Sequence, residues 1–318
     1  MKIRREIDIP AEKAGRRLDQ ALAGLLPDFS RSRLKGWIES GCVSVDGTSR
    51  PPKYRLVGGE RIVIEAELAV DEHVTAQNLP LDIVYEDDSI IVVNKPAGLV
   101  VHPGAGNPDR TLQNALLHHR PSLEALPRAG IVHRLDKETS GLLVVAATPL
   151  AHRTLVSAIE AREIGRKYIA LVRGEVTSGG SVDKPIGRHA TQRTKMSVRS
   201  GGREALTHFR VRERFRHFTL LDVQLETGRT HQIRVHMAYI RHPLVGDQVY
   251  GGRLALPPAC GEALAAALRG FRRQALHASK LTLLHPSDGN EVEWSAPLPG
   301  DFEALLEVLR RAGQEEAV

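Results

Sequence analysis

Apolar residues recur at Leu18, Ala21, Leu22 and Leu25, a spacing that lays them along one stripe of a helix. Pro27 ends that helix, and Ser30 is a good N-cap for a second one, with Leu34, Trp37 and Ile38 inward and Gly41 just past its end. The period then changes. Val43-Ser44-Val45 alternates as a strand does, Asp46-Gly47 signals a hairpin turn, and Arg61 to Glu65 reads as the strand that closes the module. Residues 67–80 carry few large apolar groups and read as a linker. Beyond them strands are predicted at 81–86, 89–93, 142–147, 166–173, 206–215 and 218–226, and helices at 110–119, 149–162 and 229–240. Thr148-Pro149 marks a helix start, and Asp301 to Ala312 forms an amphipathic helix near the end. Helices and antiparallel-looking strands mix without a steady βαβ rhythm, which predicts an α+β fold with a mixed, largely antiparallel sheet. The expected organisation is a small α/β module over 1–66, a linker over 67–80 and a larger domain over 81–318.

Composition places few limits on this picture. With 42% hydrophobic and 26% charged residues, the 318-residue chain is an ordinary globular protein. Aromatic residues make up 4%, which argues against a broad platform for stacking many bases. Cys42 and Cys260 fit no metal or disulfide spacing and suit a reducing compartment. Met1 to Pro10 mixes charges of both signs and has no apolar run for a signal peptide, and no later stretch is long enough to span a bilayer. A cytoplasmic location, away from any membrane, is expected. The net charge of +6 is modest, but its distribution is informative. Residues 187–216 hold nine Lys and Arg against Glu204 and Glu213, which points to a surface facing a polyanion. Arg31, Arg33, Lys35, Arg50, Lys53 and Arg55 add positive charge to the first module.

The stretch from His133 to Ala146 is the most informative. Its apolar part, 142–146, is a buried strand, and the polar cluster before it sits in the loop leading in, with Gly141 at the junction. Asp136 lies between Arg134 and Lys137. Neighbouring cations favour the ionised form of a carboxylate, which suits a nucleophile or base, and equally suits a salt bridge in a structural turn. In a second stretch, Leu225 to Met237, Gly228 breaks a strand and a helix starts near Arg229. Arg229, Gln232 and His236 then fall near one face, with Ile233 and Met237 packing inward. His231 and His236 are poorly spaced for metal ligation, and no thiol or carboxylate completes a site, so no metal is expected. Arg166-Lys167-Tyr168 opens a third strand, whose tyrosine reads as core packing on pattern alone.

Two resemblances organise these residues. Arg16-Arg17-Leu18-Asp19, Ser30-Arg31-Ser32 and Val43-Ser44-Val45-Asp46-Gly47, over about residues 15–65, resemble the S4 RNA-binding domain. His133-Arg134-Leu135-Asp136, Thr139-Ser140-Gly141-Leu142, Lys167-Tyr168 and the run from Thr227 to His236 resemble the RluA family of pseudouridine synthases. Asn94-Lys95-Pro96, Val101-His102-Pro103-Gly104, the run from His242 to Asp247 and Tyr250-Gly251-Gly252 extend that likeness, with no departure from the family's pattern.

The resemblance implies a catalytic domain of the pseudouridine synthase type. It would isomerise uridines in large-subunit ribosomal RNA, free or in an assembling subunit, with no cofactor. Asp136 is then the essential aspartate, attacking base or sugar or taking a sugar proton. Arg229 pairs with it, and Tyr168 stacks on the base and serves the late deprotonation of carbon. Leu225 packs near the base. Arg134, whose planar guanidinium can stack, fills the space that a flipped uridine vacates, and His133 lies on the substrate side. A monomer is the default. Two rivals stand beside this reading: a non-catalytic RNA-binding or ribosome-assembly protein, and a hydrolase releasing free base, which would want two carboxylates flanking the bond.

Overall fold

The computed structural model describes residues 2–26, 29, 31–67, 74–104, 106–192, 194–254, 256–258 and 260–315. Pro27, Ser30 and Arg193 of the readings above lie outside the described residues, as do the side chains of Arg31 and Arg33. The chain divides into two compact units, Met1–Val74 and Thr75–Val318. Residues 68–73 of the expected linker lie outside the described residues. Residues 75–80 belong to the second unit, where Asn114 Nδ2 donates to the Thr75 carbonyl and the Arg110 N–H donates to Gln77 Oε1.

The first unit holds strand β1 (Lys2–Asp8), helices α1 (Leu18–Leu25) and α2 (Arg31–Glu39), and strands β2 (Val43–Val45), β3 (Thr48–Ser49) and β4 (Arg61–Glu67). The sheet order is β1-β4-β2-β3. The expected stripe is buried: Leu18, Ala21 and Leu22 of α1 meet Leu34, Trp37 and Ile38 of α2 and Val43 and Val45 of β2 in one core. Gly41 (φ +79°) leaves α2 through the left-handed region, and Asp46 and Gly47 both have positive φ, as a tight hairpin turn requires. Strand β1 was not expected. Its sequence, Lys-Ile-Arg-Arg-Glu-Ile-Asp, is too charged to read as a strand, and it pairs along the sheet edge with β4.

The second unit is built on one large sheet. Its strands are β5 (Ile83–Glu86), β6 (Ile90–Lys95), β7 (Ser140–Ala146), β8 (Gly165–Arg173), β9 (Gly180–Asp183), β12 (Leu206–Phe215), β13 (Phe218–Leu225), β14 (Leu276–Leu284) and β15 (Glu291–Ser295). The order is β5-β6-β7-β14-β8-β13-β12-β9, with β15 also pairing β14. Only β7 and β14 run parallel. The sheet is thus mixed and largely antiparallel, within an α+β unit. Strands β10 (Ile186–Arg188) and β11 (Met196–Val198) form a separate hairpin.

Helices α3 (Leu112–His119), α4 (Pro149–Glu160), α5 (Gln232–Tyr239), α6 (Glu262–Gly270) and α7 (Gly300–Glu315) complete the unit. Thr148 caps α4 by accepting the Ala151 N–H. Phe302, Leu305, Leu306 and Leu309 of α7 join Leu264 and Leu268 of α6 against Ile169, Leu171, Phe218 and Leu220 of the sheet. Burying each such side chain stabilises the unit by about 1.5–3 kcal/mol.

Strand β7 is buried along its whole length. A strand covered on both faces reads as a continuous apolar run, which is why its pattern was plain. Its first turn is fixed by Gly141 (φ +112°), where a Cβ would lie 2.2 Å from the carbonyl oxygen of Ala278 on β14. Only glycine allows β14 to approach so closely, and the loop that precedes β7 is thereby anchored at one end.

Candidate active site

The loop 133–139 is held by its backbone as much as by its side chains. The Thr139 N–H donates to the Asp136 carbonyl, and the Gly98 N–H donates to the Lys137 carbonyl. Lys95, fully buried, points its ammonium into the same loop and donates to the carbonyls of Pro96, Leu99 and Lys137. Burial pushes Lys95 down to about 7, against the pull of Glu138 and Asp136 toward the charged form. At the far end Gln274 Nε2 donates to Thr139 Oγ1. The main chain around Asp136 is therefore clamped from three directions.

The Asp136 carboxylate faces Arg234, not Arg229. Arg234 Nη1 donates to Asp136 Oδ2 at 2.9 Å, while Arg234 Nε and Nη2 grip Asp247 at 2.7 and 3.0 Å. Asp247 also accepts the N–H groups of Val249 and Tyr250. Burial alone would raise the Asp247 carboxyl, but the guanidinium and the two N–H donors outweigh it and hold the group below the usual carboxylate range. For Arg234, burial works against its charge, and the bonds to Asp247 with the charges of both aspartates reverse that effect. One arginine, fixed bidentately from behind, presents its remaining arm to Asp136.

Arg229 lies ahead of α5. Its Nε donates to the Glu204 carbonyl, so the expected pairing with Asp136 is not formed. The physical reason lies in the helix start. His231 takes a left-handed conformation (φ 59°), and Gln232 Oε1 accepts from both Thr227 Oγ1 and the Arg229 N–H. The helix begins at Gln232, and Arg229 belongs to the turn before it. Gln232 and His236, expected on a common face with Arg229, are buried and committed to Thr207 and neighbouring carbonyls.

His231 is a site residue that the sequence reading passed over. The Tyr250 hydroxyl accepts the Met196 N–H at 2.9 Å and shares a second hydrogen bond with His231 Nδ1 at 2.8 Å. The other ring nitrogen of His231, Nε2, stands 3.8 Å from Asp136 Oδ1. Burial lowers the His231 pKa, and Asp136 opposes the change. Arg234 lies over the Tyr250 ring at 5.0 Å, closing a network from Asp136 through Arg234, Tyr250 and His231 back to Asp136.

A cavity of about 780 Å³ opens beside Asp136, lined among others by Arg134, Tyr168, Leu225, Arg229 and His231. A second, of about 680 Å³, reaches Asp136 past His102, Arg134 and Lys137. Tyr168 is buried, and its hydroxyl makes no hydrogen bond with the described residues. Burial pushes its pKa up, Arg166 lowers it and Asp136 raises it further. Arg134 is exposed, with Nη1 3.5 Å from His102 Nε2. His133 lines the first cavity, but its Nε2 accepts the Val144 N–H and braces the loop against β7. Burial, then Arg166, lowers its pKa to about 3.

The basic run 187–216 is dispersed by the fold. Arg203 reaches the first cavity, whereas Arg212 pairs with Asp222 and Arg214 donates to the Thr177 carbonyl. The positive lining of that cavity comes from Arg203 of this run together with Arg128, Arg134, Arg162, Arg166 and Arg229. Among the described residues no three His, Cys, Asp or Glu side chains gather as a metal site, and no helix is long and apolar enough to cross a membrane.

The RNA pseudouridylate synthase family matches residues 89–239, a span that holds Asp136, Tyr168 and Arg234, and the S4 domain matches residues 16–62. The chain is 54% identical over 306 residues to ribosomal large subunit pseudouridine synthase D of Xanthomonas campestris pv. campestris, covering 96% of this chain and 92% of that one. To the protein of the same name from Yersinia pestis it is 54% identical over 308 residues, covering 96% and 95%. Among solved structures it resembles human RNA pseudouridylate synthase domain containing 4, with a TM-score of 0.57 and 27% identity over 72% of this chain and 92% of that one. The chain belongs to the RNA pseudouridylate synthase family and carries an S4 domain ahead of its catalytic unit. Its activity is the isomerisation of uridine in RNA to pseudouridine.

Proposed function

We propose that this enzyme acts on uridines of large-subunit ribosomal RNA, free or within an assembling subunit, as a cytoplasmic monomer. The names of its relatives support the substrate. The observation that carries the site assignment is the Asp136 carboxylate held by Arg234 in a cavity that also contains Tyr168.

In the reaction the bond from N1 of uracil to the ribose breaks, the base turns, and a bond from C5 to the ribose forms. C5 loses a proton and N1 gains one. Nothing is oxidised or reduced, so the chemistry itself calls for neither a redox cofactor nor a metal. Asp136 acts as the nucleophile or base, and Arg234 keeps it charged and aimed. Tyr168 packs on the base, and its hydroxyl, without a protein partner, handles the C5 proton. Leu225 packs at the base and His133 supports the loop. Arg134, exposed beside Asp136, fills the gap left by the flipped nucleotide, offsetting a few kcal/mol of unstacking. Residues 1–66 grip RNA phosphates.

Tritium release from large-subunit ribosomal RNA labelled at uridine C5, with wild type and Asp136→Asn compared, tests this. Release by wild type alone, with pseudouridine in the product, is expected. No release by wild type from naked RNA or from immature subunits would overturn the substrate assignment.

A further inference from the structure

Arg166 sits on β8 two residues before Tyr168, so both side chains leave the same face of the strand, roughly 7 Å apart along it. It is 7% exposed, lines the cavity beside Asp136, and has no hydrogen-bond or ion-pair partner among the described residues. Its Nε is buried and unsatisfied. The guanidinium lies against the backbone at Gly228, where a Cβ would come within 2.7 Å of Nη1. Among the described residues, Arg229, which uses only Nε on the Glu204 carbonyl, and Arg203 of the same cavity also have no carboxylate partner. The nearby acids are engaged elsewhere. Glu204 pairs with Arg162, and Glu226 with His208. The crowding is close enough that, after burial, Arg203 and Arg162 are what lower the pKa of Arg229.

A buried guanidinium without a counterion is costly to maintain unless a ligand supplies the charge. We propose that Arg166, with Arg229 and Arg203, forms a phosphate site for the RNA substrate, binding the non-bridging oxygens of a phosphodiester that flanks the target uridine. This rests on the RNA-modifying activity stated above. A neutral uracil carbonyl would satisfy one N–H but leave the cluster's charge uncompensated. A phosphodiester offers two oxygens to a planar fork and a full negative charge. The spacing from Tyr168 suits a base stacked on the tyrosine with its own phosphate at Arg166. The glycine of the Thr-Gly-Arg run then has a use, since it leaves room for the guanidinium against the turn that carries Arg229.

The test uses the full-length enzyme and a short stem-loop RNA, either native or with a single neutral methylphosphonate on one side or the other of the target uridine. For wild type, one of the two methylphosphonates is expected to raise KM about tenfold with kcat within about threefold, the loss of one charge-assisted contact. Arg166→Met is expected to show the same rise on native RNA and no further rise on that methylphosphonate RNA. Its dependence of log affinity on log salt should be shallower by about one. Arg166→Lys should recover part of the affinity. Because no hydrogen bond or ion pair with the described residues is lost, Arg166→Met should melt at or above the wild-type temperature. Equal KM for all three RNAs with wild type, alongside normal pseudouridine formation, would overturn the site and leave the activity standing. Phosphate- and Arg166-dependent binding without any pseudouridine would refute the activity and leave the site. A lower melting temperature for Arg166→Met with unchanged RNA affinity would make Arg166 a scaffold residue and overturn the proposal.

Discussion

Replacing Arg234 with methionine should disable the enzyme in two separable ways. The change removes three charge-assisted bonds, two to Asp247, whose side chain is fully buried, and one to Asp136, whose side chain is 17% exposed. Stranding one partner of a buried pair costs about 3–5 kcal/mol. Asp247 keeps its two backbone N–H donors, which places the loss near the lower end. For a unit of this size each kcal/mol lowers the melting temperature by roughly 2–4 °C, so a fall of roughly 6–12 °C is expected. The catalytic share comes from Asp136, left without its cation. Removing one preorganised partner from a reacting charge typically costs about 2.7–4 kcal/mol, or about 10²–10³ in kcat. Thermal melts read the first effect, and single-turnover tritium release at saturating RNA reads the second. Arg229→Met is the control, because Arg229 contacts a carbonyl and no carboxylate. It should leave the melting temperature nearly unchanged and act mainly on KM. Arg234→Lys keeps the charge but not the fork, so it should fold better than the methionine variant and still lose at least about tenfold in kcat. If Arg229→Met lost more in kcat than Arg234→Met, or if Arg234→Met melted and reacted like wild type, the pairing assigned to Asp136 would be wrong.

Other perturbations test the support around that pair. Gly141→Ala would place a methyl 2.2 Å from a backbone oxygen at φ +112°, where no flexible side chain can give way. It should cost at least about 3 kcal/mol in a urea melt, and an unchanged midpoint would refute the close approach. Lys95, normal at 10.5 in the unfolded chain, sits at about 7 when folded. Between those values the unfolded chain binds more protons, so this residue's contribution to stability rises with pH. Below about 7 its burial costs on the order of 5 kcal/mol, a cost that fades toward pH 10.5. Wild type should therefore gain in melting temperature over Lys95→Met between pH 7 and 10, and a constant difference would contradict the depressed value. Tyr168→Phe keeps the ring and loses the hydroxyl. Its RNA affinity should hold while tritium release slows by about 10²-fold, and a wild-type rate would remove the hydroxyl from the proton transfer.

The parts of the fold legible in the sequence were those where one pattern decides one structure. The apolar run of β7, the stripe of α1 and the cap at Thr148 each gave an element of the right kind in the right place. Strands β1 and β14 did not show. Charged edge positions and residues such as His277 and Lys280 break the alternation, and pairing with neighbours, not local pattern, makes these segments strands.

The site divides in the same way. Asp136 stood out by its loop and strand, but its partner depends on helix phase. The expectation that Arg229 pairs with Asp136 came from the family resemblance, and the helix that was to carry Arg229 starts later than expected. In the structure Arg229 stays in the turn, and Arg234 meets an aspartate 98 positions earlier in the chain. The phase is set by the left-handed His231 and by the Gln232 side chain folding back on Thr227 and Arg229, contacts that no hydrophobic periodicity encodes. The same turn places His231 at the second oxygen of Asp136 and Gly228 against Arg166. One irregular turn thus sets Arg234 and His231 at the Asp136 carboxylate, and local pattern is weakest where the chain leaves regular structure.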